Sequence, residues 1–79
     1  MSLNSEDMEI ILLLSNGNPG ACSVVCKLFQ LVEEEPDRME QVVELIKKLL
    51  EKNIIGTKLW VLYKNNAEMD INKLLVIDF

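Results

Sequence analysis

Histidine is missing from this 79-residue sequence. Without an imidazole, general acid-base chemistry near neutral pH would fall to a carboxylate, lysine or cysteine with a strongly shifted pKa. Aromatic residues are scarce as well, only Phe29, Trp60, Tyr63 and Phe79, so a core must be built from aliphatic side chains. There are two cysteines, Cys22 and Cys26, four apart in a predicted helix. A disulfide there would need unfavourable side-chain directions, and two thiols with no histidine make no recognisable zinc site. They are expected to be reduced core residues, and with no Cys/His pair to be formed neither is expected to be a nucleophile. Long apolar runs are absent too: Ile10 to Leu14 is five residues long and follows acids, which predicts neither a membrane span nor a secretion signal, and hence a cytosolic location.

What is present is aliphatic and acidic. About half of the residues are apolar (49%), in a chain long enough for one domain with a limited core. That surplus predicts self-association, because a second subunit covers faces that one small core cannot. The net charge of −5 argues against duplex DNA as a partner, since that contact needs a phosphate-neutralising surface. The charge is also bipolar. Through residue 40, Glu6, Asp7, Glu9, Glu33, Glu34, Glu35, Asp37 and Glu40 face only Lys27 and Arg38, whereas Lys47, Lys48, Lys52, Lys58 and Lys64 face only Glu51 between positions 47 and 64. The carboxylates around Glu33 to Asp37 bunch at a predicted loop and read as a solvated turn.

Periodicity predicts an all-α domain over residues 1–79, a small bundle of four to five helices with a central antiparallel helix hairpin, after a loose tail at residues 1–4. Ser5 is placed to cap a first helix over residues 6–15, with Met8, Ile11 and Leu12 on its apolar face. A second helix is predicted from Pro19 to about Glu34, with Ala21, Val24, Val25, Leu28, Phe29 and Val32 recurring at spacings of three and four. A third, near residues 36–53, opens at Pro36 and carries Met39, Val42, Val43, Ile46, Leu49 and Leu50. These two form the hairpin. Thr57 is placed to cap a short fourth helix, Asn65 and Asn66 to form a turn, and Asp70 to cap a last helix over Ile71 to Val76. Strand is the competing reading for residues 59–63 and 74–79, which are rich in β-formers.

The most distinctive segment is Ser15-Asn16-Gly17-Asn18-Pro19-Gly20-Ala21. Gly17 suits the positive φ that ends a helix, Asn18 suits an N-cap and Pro19 the first helical position. The small Gly20 and Ala21 then leave a helix N-terminus approachable, which is the local chemistry of an anion site. A second distinctive segment, Gly56-Thr57-Lys58-Leu59-Trp60-Val61-Leu62-Tyr63-Lys64, follows some forty residues later. Gly17-Asn18-Pro19-Gly20-Ala21 followed by this second segment, with Asp70-Ile71, resembles a pattern in small phage and prophage proteins. The resemblance implies a phage-borne origin and no mechanism.

Three functional classes follow. Catalysis has a poor inventory, and Gly-Asn-Pro-Gly-Ala lacks the lysine-serine ending and preceding strand of a P-loop, so a non-enzymatic role is expected. No cofactor or metal site is expected. The favoured class is a phosphate-bearing small molecule held by Asn18, Gly20, Ala21, Thr57, Lys58, Trp60, Tyr63 and Lys64. In it the turn amides meet the phosphate, a lysine supplies countercharge and an aromatic ring offers a stacking face. In a phage setting this becomes sequestration of a nucleotide signal made by host defence. The alternative class is a module that docks on or assembles with a host or phage protein without a small ligand. On the plainest reading, Trp60 and Tyr63 plug the core and Gly-Asn-Pro-Gly is a tight connector.

Overall fold

In the computed structural model, which describes residues 4–66 and 70–77, five helices follow one another: α1 (Ser5–Ser15), α2 (Pro19–Glu34), α3 (Met39–Glu51), α4 (Thr57–Asn66) and α5 (Ile71–Leu75). A single 3₁₀ turn, Pro36–Arg38, leads into α3. No strand is present among the described residues, so 59–63 is helical, as are residues 74 and 75. The segment 67–69 and residues 78–79 lie outside the described residues.

Each helix begins and ends for an identifiable reason. Asn4, expected in the loose tail, is the N-cap of α1, and Ser5 is the first helical residue. Asn4 wins because Asp7 sits three residues on: the Asp7 amide donates to Asn4 Oδ1 at 2.8 Å, and the Asn4 amide donates back to the Asp7 carboxylate at 3.4 Å. The helix stops at Asn16, which takes a left-handed φ of 42° and donates its amide to the Leu12 carbonyl, with Gly17 continuing at φ 81°. Asn18 caps α2 as expected, and Pro19 opens it. The third helix is shorter than residues 36–53, because Pro36 starts a 3₁₀ turn rather than an α-turn and Asn53 ends the run with φ 56°. There the Ile54 amide reaches back to the Leu49 carbonyl at 2.8 Å, closing α3 with a left-handed cap. Asn65 and Asn66, expected in a turn, are instead the last two residues of α4. Asp70 caps α5 through the Asn72 amide, and that helix ends at Leu75.

The core is aliphatic, with one tyrosine. Its fully buried side chains include Leu14, Val24, Val25, Leu28, Val42, Leu49, Leu59 and Leu74, so all five helices contribute. Burying residues of this size stabilises by about 1.5–3 kcal/mol each relative to exposure. The helix α2 is central: it packs against α1, α3 and α4, and most extensively against α1. The short α5 closes the open end through buried Leu74, and Arg38 of the 3₁₀ turn donates to the Asn72 side chain while pairing with Glu35 at 3.9 Å.

The core face of two helices differs from the periodicity reading. In α1 the buried residues are Ile11, Leu14 and Ser15, while Met8 and Leu12 lie outside. In α3 they are Val42, Leu45, Ile46 and Leu49, while Met39, Val43 and Leu50 stay exposed. Phe29 and Val32 of α2 are half-buried at the edge of the core, where Leu31 takes the deeper place.

The reciprocal Asn4/Asp7 pairing makes a simple prediction. Asn4→Ala costs about 1 kcal/mol of stability, whereas Ser5→Ala is close to neutral, measured by urea denaturation followed by circular dichroism.

Candidate functional site

The two distinctive sequence segments meet in space. The turn between α1 and α2 lies against the turn between α3 and α4, and the Gly56 amide donates to the Leu14 carbonyl at 2.7 Å. Gly56 has φ 58°, and a Cβ there would come within 3.2 Å of the Asn16 side chain, so both backbone conformation and space call for glycine. Its carbonyl accepts from the Trp60 amide, which starts α4. Thr57 lies inside the helix as its first residue, and its Oγ1 accepts from the Asn18 carboxamide at 3.3 Å. The other end of that carboxamide, Oδ1, accepts from the Ala21 amide at 3.1 Å. Asn18 thus caps one helix and touches the start of another.

The residues expected to form one ligand site separate into two adjoining groups. Asn18, Thr57 and Lys58 gather at the corner, where an open hollow of about 290 Å³ is bordered by Asn16, Asn53, Ile55, Thr57 and Lys58. No carboxylate is among these bordering residues, in a chain whose net charge is −5. Gly20, Trp60, Tyr63 and Lys64 instead line the seam between α2 and α4. A Cβ at Gly20 would lie 2.7 and 2.8 Å from Cε3 and Cε2 of Trp60 and closer still to Cδ2, so the missing side chain is what seats the indole. Trp60 and Tyr63 stack with ring centroids 5.8 Å apart and planes inclined by 23°. Lys58 and Lys64 are six residues apart and so leave α4 about 120° apart, pointing to different groups.

Along the seam the aromatic rings are already engaged. Tyr63 is 4% exposed, its hydroxyl accepts from Lys27 Nζ at 3.3 Å, and the same ammonium lies 5.2 Å from the ring centroid. The Lys64 ammonium sits 5.7 Å from the Trp60 ring centroid. Ala21 is fully buried beneath them, its amide held by Asn18. Among the described residues, every buried side-chain polar atom has a hydrogen-bond partner. The seam is therefore built as a cation-edged aromatic plug.

Four residues of these groups escaped the sequence reading: Asn16, Asn53, Ile55 and Lys27. Lys27 had a local signal, being seven residues after Gly20 and so on the same face of α2. Asn16 and Asn53 had none beyond their turn propensity, because their adjacency depends on two turns far apart in sequence. Both cysteines are free, Cys22 half-buried and Cys26 exposed. Desolvation along the helix surface, then the charge of the neighbouring Cys22 and its hydrogen bond, pushes the Cys26 thiol above its ordinary pKa, the opposite of an activated nucleophile. Among the described residues no three His, Cys, Asp or Glu side chains gather as a metal site, and no helix is long and apolar enough to cross a membrane. Comparison with protein-family models, with curated proteins and with solved structures finds no match.

The seating of Trp60 on Gly20 decides the sign of a substitution. Helix propensity alone favours Gly20→Ala by about 1 kcal/mol, but overpacking against the indole costs about 1–3 kcal/mol, so the variant is destabilised. In a Trp60→Leu background the same change becomes neutral or stabilising, which a double-mutant cycle in urea measures.

Proposed function

We propose that this is a non-catalytic binding protein that works by contact between its helix faces and another protein chain. The observation that carries this reading is the apolar surface left over once the core is complete. Leu12, Leu13, Met39 and Val43 are 66%, 53%, 52% and 42% exposed, on helices whose other faces already fill the interior. A small domain with this much aliphatic surface gains by covering it. The lack of any histidine, and the raised pKa of the Cys26 thiol, support a role without chemistry. In the phage setting that the two-segment resemblance implies, the partner is a host or phage protein or another copy of the chain, met in the host cytosol. Duplex DNA is a poor partner for a chain of net charge −5.

The corner hollow favours a second reading, the binding of a phosphate-bearing small molecule such as a host-defence nucleotide. Lys58 supplies the countercharge there, Asn16, Asn53 and Thr57 supply neutral hydrogen-bonding groups, and no bordering carboxylate opposes an anion. Asn18 stands beside it through its bond to Thr57. This site is smaller than the one expected from sequence, because Tyr63 is buried and the Trp60 ring is seated on Gly20.

The two readings separate by experiment. Replacing Leu12 or Val43 by a photo-reactive phenylalanine analogue gives discrete protein cross-links in the contact reading, while the same probe at exposed Lys52 gives none. Nucleoside monophosphate titrated calorimetrically gives measurable heat in the ligand reading, and Lys58→Ala lowers that affinity by about tenfold, the worth of one charge-assisted contact.

A further inference from the structure

The helix α1 is apolar on more sides than the domain uses. Ile11 and Leu14 turn inward and are buried, yet Met8, Leu12 and Leu13 remain 45%, 66% and 53% exposed. Met8, Leu12 and Asn16 recur every four residues, so they form one outward stripe. That stripe has opposite charges at its two ends. It begins among Glu6, Asp7 and Glu9, with no basic residue anywhere on α1, and it ends at Asn16, which borders the same hollow as Lys58.

From this polarity we infer that α1 is the contact of a homodimer, packed antiparallel against α1 of a second copy about a two-fold axis near Leu12. The inference rests on the contact reading above and names its partner. Antiparallel packing covers Leu12 and Leu13 with their counterparts and brings the Glu9 end of each helix toward the partner's Lys58, twice by symmetry. Parallel packing would stack two acidic first turns and leave both lysines uncovered. A foreign partner would have to supply an acid and a base at matching distance along an apolar ridge, whereas this chain carries both in the required order. The exposed stripe of α3, Met39, Val43 and Leu50, is bordered by Glu40 and Glu44, then by Lys47 and Lys48, and again by Glu51, so its charges alternate along the helix and are not divided between its two ends.

Sedimentation velocity on the full chain at low salt tests the pairing. The wild type sediments as a dimer at about 100 µM, and Leu12→Asp sediments as a monomer with an unchanged helical spectrum. Should Leu12→Asp perturb the fold, Leu12→Gln provides the same test. Glu9→Lys and Lys58→Glu each weaken the dimer about fivefold, and the double reversal restores it. A monomeric wild type, a dimer indifferent to Leu12→Asp, or a dimer broken by Val43→Asp alone overturns the inference. A monomer that still cross-links from position 12 to a different protein overturns the pairing and leaves the contact reading standing, while a monomer without such cross-links removes both.

Discussion

The docking of one turn on another is the constraint on which this small domain depends. Leu14 offers one of the last carbonyls of α1, a group with no partner inside its own helix, and the Gly56 amide satisfies it from the other half of the chain. The same corner gathers the carbonyl ends of α1 and α3 and the amide ends of α2 and α4. Opposite helix poles therefore lie side by side, and each offsets the other's partial charge. With the corner closed, Trp60 falls onto the bare backbone of Gly20, and Leu59 and Tyr63 enter the core alongside Ala21 and Val24. The connection across the 3₁₀ turn and the short α5 then complete a core that the five helices share.

Much of this was legible in the sequence, and the remainder was not for physical reasons. The helix α2 shows a clear apolar face and folds as its spacing predicts, with Asn18 and Pro19 opening it. The strand-rich composition of residues 59–63 gave way to helix, because in this packing Leu59 and Tyr63 are two residues four apart on one buried face. The inward side of α1 was not legible, because six apolar residues from Met8 to Leu14 surround it almost completely and periodicity gives no direction. The choice between Asn4 and Ser5 as cap rests on a single partner three residues on. For the candidate site, each turn could be read locally, but their contact is non-local, which is why Asn16 and Asn53 joined Thr57 and Lys58 only in three dimensions.

The same geometry orders the functional readings. Residues that read as ligand contacts prove to carry internal work: Asn18 caps and bridges, Gly20 receives an indole, and Tyr63 is sealed beneath Lys27. What the interior leaves over is aliphatic surface, most of it on α1 and α3, and a corner hollow bordered by Lys58 and no carboxylate. The first is the surplus of a chain with half its residues apolar and too few positions to bury them. The second is a local exception to an acidic surface.

The seating of Trp60 on Gly20 also has a meaning for descent. A glycine in a helix and a tryptophan forty positions away are individually unremarkable, yet neither is free to drift while the other stays. The aliphatic faces between them tolerate exchange among leucine, isoleucine and valine as long as volume is kept. Lineages sharing this architecture would therefore diverge fastest along the aliphatic faces and slowest in the first turns of α2 and α4, where this pair sits. Common ancestry would then be read from this glycine–tryptophan pair rather than from the aliphatic core.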